Sequence, residues 1–349
     1  MAEAGTRAGA DAADPDGWPV PWQPVWGESA GLGSRLGAWC VQAALAGAIR
    51  LPQAPLDALI AALAALGHRL GRARTRAAHE FLAQALGELS AGERERLTRA
   101  AWRQLLRVSV DTERLLRRVP PERLLAHFEV ETSPEARAAF AARRGVLIAG
   151  PHLGNWEVAL FALPLLGLVP AYAVAKPPKN RFLAQALQAS RERRGVRILS
   201  RKGAMNDAPA ILKAGGALAL VIDQRTSGRA LLAPFFGRLA RCERAPAVLL
   251  KRQRVPIVLT ACLQAAEPLR YHLRFGEVLH PDEWARAEVE AIVRRVNEGF
   301  ERMIRAHPEQ YIWIHDRYRD TPRAQPPGAG PRLARRAAPP AVPEGPDEG

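Results

Sequence analysis

His152 and Glu157 stand five residues apart in the stretch GVLIAGPHLGNWEVAL, which runs from Gly145 to Leu160. An imidazole and a carboxylate at that spacing suit proton-transfer chemistry. On one continuous helix they would diverge by about 140°. They can meet only if His152 lies in a turn and Glu157 in the first turn of the helix that follows. The sequence supplies that arrangement. Gly145 to Gly150 is an apolar run with β-branched Val146 and Ile148, long enough for one buried strand. Pro151 to Asn155 carries a proline, a glycine and an asparagine, which is turn chemistry. From Trp156 the chain reads as an apolar helix with Asn155 as N-cap. Glu157 then sits at the positive end of the helix dipole. It is expected to hold one imidazole nitrogen and leave the other to take a proton from a hydroxyl. That is the base and orienter of a triad without a protein nucleophile, so a substrate hydroxyl would attack. The amides of Gly154 and Asn155 are candidate oxyanion donors.

Other elements must position this turn. Beyond it, strands are expected at Pro170 to Ala175, Val196 to Leu199, Ala217 to Ile222, Ile257 to Leu263 and Tyr271 to Phe275. Helices are expected at Asn180 to Arg194, Asp207 to Ala214, Ala245 to Arg254 and, as one long element, Pro281 to Ile304. Phe128 to Glu131 reads as a first strand, Pro134 to Arg144 as a helix, and Tyr311 to Ile314 as a last strand. Such alternation gives an α/β class, a layered sheet flanked by helices. The turn then lies at the carboxyl end of a strand, where open α/β sheets bind ligands.

Ahead of this region lie two apolar helices, Leu32 to Ile49 and Leu56 to Leu70, split by Pro52 and Pro55. Arg69, Arg72, Arg74 and Arg76 follow at once. The pattern fits either an interfacial anchor on anionic lipid or a helical hairpin packed on the core. Glu80 to Arg118 is charged and helical, with a Ser90/Glu93 capping box. Trp18, Trp22 and Trp26 lie among prolines and are expected to dock on the catalytic body or sit at a membrane interface. Four segments result: a Trp-containing terminus (1–30), a helical membrane-associating region (31–120), an α/β catalytic domain (121–320) and a Pro/Ala/Arg tail expected to be disordered (321–349).

The net charge of +15 over 349 residues favours polyanions: anionic lipid, phosphorylated substrates or nucleic acid. Nucleic acid is set aside because no base-stacking aromatics or known module lie among the arginines. The three cysteines, Cys40, Cys242 and Cys262, have no paired or metal-ligand spacing, which points to a reducing compartment. No secretory leader or apolar stretch of spanning length is present. The elbow of serine hydrolases, the P-loop, the dinucleotide fingerprint and the zinc-protease motif are all missing. No metal site and no cofactor is expected.

Lys176 to Lys202 holds nine basic residues and one acid, Glu192, and follows the turn closely. It reads as a groove for a phosphate-bearing substrate or as a solvated face. Asp223 and Gln224 end the apolar strand ALALVI. Phe235, Phe236 and Gly237 either line an acyl-chain wall or form a core turn. His315, in the aromatic stretch HPEQYIWIHDRYRD, is taken as structural.

GPHLGNWE resembles the His-x4-Asp/Glu box of the glycerolipid acyltransferase superfamily. It is most similar to the box of the lipid A biosynthesis (lauroyl/myristoyl) acyltransferases, with Leu153 in place of the usual aromatic residue. Asp223-Gln224, the Phe-Phe-Gly block and HPEQYIWIHDRYRD resemble further motifs of that family, in order, over about residues 35 to 320. Lys176 stands where the family has an arginine, and AHEFLAQAL stands in place of its asparagine-leucine element. The resemblance implies an acyltransferase with His152 and Glu157 as catalytic residues, and Asn155, Lys176, Asp223, Gln224 and Arg225 as substrate-binding residues. It implies an acyl-acyl carrier protein donor, a phosphorylated glycolipid acceptor, and anionic lipid at the cytoplasmic face of a bacterial inner membrane. The same chemistry on a glycerolipid, a phosphatidylinositol mannoside or an aminolipid is the alternative. A non-catalytic basic membrane-binding protein is the alternative of another class.

Overall fold

The computed structural model describes residues 17–22, 29–226, 228 and 230–321. Trp26 lies outside these residues, and so does the tail beyond Thr321. Helices come first: α1 (Leu32–Ala48), α2 (Gln53–Leu70), α3 (Arg72–Leu86) and α4 (Ala91–Arg118). The chain then alternates through α5 (Pro121–Leu124), β1 (Phe128–Thr132), α6 (Pro134–Ala141), β2 (Val146–Gly150), α7 (Trp156–Leu165), β3 (Ala171–Ala175), α8 (Arg181–Glu192), β4 (Val196–Ser200), α9 (Ala204–Lys213) and β5 (Ala217–Val221). It closes with β6 (Leu231–Phe235), β7 (Arg238–Cys242), α10 (Ala245–Gln253), β8 (Ile257–Gln264), β9 (Tyr271–Leu279), α11 (Pro281–Trp284) and α12 (Val289–Ala306).

Seven strands form one sheet in the order β1-β9-β8-β2-β5-β3-β4. All neighbours are parallel except β8 and β9, which pair antiparallel. β2 lies at the centre and is buried along its whole length. Its side chains alternate between faces, as the two-residue period of a strand requires. Val146 and Ile148 join the core on one side with Phe161 of α7. Leu147 and Ala149 join the other with Ile211, Leu250 and Phe300 of α9, α10 and α12. The expected class, a layered sheet flanked by helices, is what the chain forms, and the sheet is mainly parallel.

The capping box that starts α4 is present: Ser90 Oγ accepts from the Glu93 N–H at 3.2 Å, and Glu93 reaches back to the Ser90 N–H at 2.9 Å. From this start α4 runs 28 residues and reaches the turn between β2 and α7. There Gln104 Nε2 donates to the Gly154 carbonyl at 2.6 Å, and the Thr112 hydroxyl donates to Asn155 Oδ1 at 3.1 Å.

Two expected elements differ. The long helix Pro281 to Ile304 is two, α11 and α12. Between them Lys251 Nζ takes the Ala287 carbonyl while Ala285 and Ala287 pack on the core, so tertiary contacts win over helix continuation. Tyr311 to Ile314 is not a strand. A single bridge ties Tyr311 to Leu153. The chain then turns, with the Trp313 N–H on the Tyr311 carbonyl at 3.1 Å and its indole on the Pro308 carbonyl at 2.6 Å. The hairpin β6–β7 was not expected. Phe236 and Gly237, at φ 49° and 74°, form its two-residue turn, and positive φ at both positions is what a tight hairpin turn demands. Phe235 and Phe236 are buried against Phe81, so the two rings serve the core, while Gly237 lies exposed at the turn.

At the amino terminus, Trp18 docks. Its ring meets Tyr172 edge-on at 5.2 Å, and the Arg197 guanidinium lies 4.4 Å from its centre. The Tyr172 hydroxyl donates to the Val20 carbonyl at 2.9 Å, closing the strap. No helix among the described residues is long and apolar enough to cross a membrane. All three cysteines are free, with Cys40 exposed.

Candidate active site

Gly150 of β2 is registered opposite Val221 of β5. His152 and Asp223 each lie two residues beyond that pair, at the carboxyl ends of adjacent parallel strands. The sheet therefore delivers both side chains to one spot. His152 Nδ1 and Asp223 Oδ1 are 2.6 Å apart. Tyr311 donates its hydroxyl to the other carboxylate oxygen at 2.8 Å. Asp223 is fully buried, and burial alone would push its carboxyl up. The charge of His152 when protonated, and hydrogen bonds from His152 and Tyr311, outweigh that and hold it below the usual carboxylate range. Burial, then the Asp223 charge, push the Tyr311 phenol well up, so it stays a donor. With Nδ1 committed to a carboxylate, the tautomer that fits leaves a lone pair on Nε2. Nε2 makes no hydrogen bond to a described residue, and His152 lines the main cleft. The Trp156 ring packs edge-on at 4.8 Å and fixes the imidazole plane.

The turn itself is rigid. Gly154 takes φ +59°, and a Cβ there would come within 2.0 Å of the Cys262 carbonyl oxygen, so only glycine fits. Its N–H donates to the Gln310 carbonyl at 3.0 Å, and the Asn155 N–H donates to the Cys262 carbonyl at 2.7 Å. Both amides are thus consumed by the scaffold, and the oxyanion role expected of them is not available.

A bacterial lipid A biosynthesis acyltransferase model matches residues 31–320. The chain belongs to that family. This acyltransferase is 24% identical over 276 residues to the lipid A biosynthesis palmitoleoyltransferase of Escherichia coli (strain K12), covering 78% of this chain and 88% of that protein. It is similar to the same extent to the lipid A biosynthesis acyltransferase of Shigella flexneri.

Within the acyltransferase, the expected His152–Glu157 contact is replaced. Arg191, at the end of α8, takes the Glu157 carboxylate in a fork, with Nη2 2.7 Å from both oxygens and Nε 3.1 Å from one. Arg191 is buried and so must be paired, which is why it claims a carboxylate that starts the neighbouring helix. The group that faces His152 comes instead from the end of β5. Asn155 also departs from its expected substrate contact. It is fully buried, its Oδ1 caps α7 by accepting from the Val158 N–H at 3.1 Å, and it meets Thr112. The N-cap reading of Asn155 holds.

Lys176, Gln224 and Arg225 all line the cleft with His152. Arg225 pairs with Asp320. Its backbone N–H donates to His315 Nε2 at 3.0 Å. Burial pushes the His315 imidazole down to about 4, so it is a neutral acceptor that pins the loop after Asp223. Tyr311 was missed as a member of the site. Its only signal was the aromatic stretch around it, because nothing local to Tyr311 points to Asp223.

The cleft holds about 820 Å³. Leu160, Leu218, Val248 and Leu249 give it an apolar side, while Lys176, Arg244 and Arg252 bring cations that form no ion pair among the described residues. No three-donor metal cluster lies at this cleft among the described residues; the one such cluster sits elsewhere, on the helical layer.

Proposed function

We propose that the protein is an O-acyltransferase that moves a fatty acyl chain from acyl-acyl carrier protein to a hydroxyl of a phosphorylated lipid A precursor at the inner-membrane surface. The observation that carries this reading is the His152–Asp223–Tyr311 chain opening onto a cleft that is apolar on one side and cationic on the other. His152 Nε2 takes the proton of the acceptor hydroxyl as its oxygen attacks the thioester carbonyl carbon. The tetrahedral intermediate collapses, the C–S bond breaks, and the imidazolium returns the proton to the leaving thiolate. Asp223 holds the tautomer and stabilises the imidazolium, as the carboxylate of a triad does. Lys176, Arg244 and Arg252 meet the acceptor phosphates, and the leucine-lined side receives the chain. Glu157 contributes by fixing Arg191 and the mouth of α7. The acidic carrier is drawn by the chain's net charge of +15.

The test is mass spectrometry of lipid extracts from a strain that lacks the protein. Lipid A one acyl chain lighter, restored by the wild-type chain, is expected. Unchanged lipid A beside a lost acyl group on another lipid would move the acceptor to that lipid.

Membrane contact rests on an exposed apolar stripe. Leu32, Leu36 and Trp39 of α1 lie on one face, and so do Leu59, Leu63, Leu66 and Leu70 of α2, all exposed. Their spacing of three and four residues is that of a helix face. The opposite face of α2 already packs inward through Leu56, Ile60 and Ala64. Exposed Arg69, Arg72, Arg74 and Arg76 flank the stripe. An interfacial helix pair needs that combination. Purified protein should float with anionic vesicles, less so at high salt. Serine at Leu36, Trp39, Leu63 and Leu66 together should release it without unfolding it. Undiminished flotation of that variant would refute this anchor.

A further inference from the structure

Away from the cleft, three helices bring metal donors together. His68 lies in the last turn of α2, His79 in α3, and Glu95 in the second turn of α4. His68 Nε2 is 3.2 Å from Glu95 Oε2, and His79 Nε2 is 3.5 Å from the same oxygen. One donor atom from each of the three lies within 4.8 Å of the others. Zinc bonded at about 2.0–2.1 Å in a tetrahedron sets neighbouring donors about 3.3 Å apart, so the two measured separations already match. The His79 side chain is partly exposed, but its Nε2 is shielded and makes no hydrogen bond, even to Glu95. Glu95 is arranged to coordinate through one oxygen: Arg99 Nε holds Oε1 at 2.6 Å and leaves Oε2 to the two imidazoles. A ligating carboxylate is normally steadied in this way.

We propose that His68, His79 and Glu95 bind one divalent transition-metal ion of the zinc class. Two imidazoles and one carboxylate suit zinc, whereas magnesium and calcium prefer all-oxygen shells. Three protein ligands leave a fourth position for water. The alternative for these side chains is a shared ion pair of protonated histidines with Glu95, in which the His79 contact at 3.5 Å makes no hydrogen bond. The ion clamps α2, α3 and α4 to one another. Through α4 it steadies the helix that supplies Gln104 to Gly154 and Thr112 to Asn155. This role is independent of the acyl-transfer reading, since no group of the cleft takes part.

The test uses the full chain, stripped with a chelator and then dialysed against Zn²⁺ or Co²⁺. One equivalent should remain bound. The Co²⁺ form should show the visible absorption of a four-coordinate ion, and metal should raise the unfolding temperature. His79→Ala and Glu95→Gln should each weaken binding more than about tenfold and abolish the absorption. His152→Ala should retain both, which separates this site from the imidazole in the cleft. Glu95→Gln keeps the side chain's size, so the test stands even where His79→Ala folds poorly. One equivalent held unchanged by both variants, binding lost in His152→Ala, or no retained metal would each overturn the proposal.

Discussion

Alanine in place of His152 lowers acyl transfer by about 10²- to 10⁴-fold, the range lost with a general base. The fold should survive the change. His152 borders an open cleft with its side chain 19% exposed, so its removal leaves a gap that solvent fills rather than a sealed cavity. KM should move little, because the imidazole acts on the reacting proton and the substrates are held elsewhere. Turnover of the purified variant, with circular dichroism as the folding control, checks this. Near-normal turnover would remove the base from the mechanism.

Asp223→Asn should cut kcat by a comparable or larger factor, about 10³- to 10⁴-fold by the precedent of a triad carboxylate changed to its amide. Asparagine keeps the shape but removes the charge that opposes the imidazolium. Its amide can also donate to Nδ1, which puts the proton on Nε2 and leaves no base. The Tyr311 hydroxyl at the same time loses its charged acceptor. Glu157→Gln is the informative comparison, because the sequence alone assigns the orienting role to Glu157. Glutamine there breaks the fork with Arg191, which is buried and would lose its counter-charge. Losing one partner of a buried pair is mainly a stability cost. Glu157→Gln should therefore lower the melting temperature and spare more of kcat than Asp223→Asn. The reverse order, with glutamine the more damaging to kcat, would return the orienting role to Glu157.

Much of this was readable from residues 145 to 160. Strand, turn and helix lie where the apolar run, the Pro-Gly-Asn punctuation and the Asn155 cap place them. These are local properties, written in residues that touch their own neighbours. The partner of His152 was not readable, because Asp223 is 71 residues away. Its nearness depends on β5 lying beside β2, and the order of strands in a sheet leaves no mark on any one strand. A carboxylate five residues away looked sufficient, and Arg191, reaching across from another helix, claimed it. The same reasoning covers Tyr311 and the amides of Gly154 and Asn155, each committed to a residue distant in sequence. Asn155 was legible as a cap and misread as a substrate ligand, since only the packing of α4 shows it to be sealed by Thr112. The metal-donor cluster was invisible for a like reason. Its three residues show no ligand spacing and meet only when α2, α3 and α4 fold together.

The His152–Asp223 pair is proposed to drive transfer of a fatty acyl group to a phosphorylated glycolipid hydroxyl. This role is tested most directly by incubating purified protein with isotopically labelled acyl-acyl carrier protein and a lipid A precursor in anionic vesicles, then weighing the glycolipid. The wild-type chain should add the mass of one labelled acyl ester, and His152→Ala and Asp223→Asn should leave the precursor essentially unchanged. An unmodified precursor with the wild-type chain, or as much product from either variant as from the wild-type chain, would contradict it.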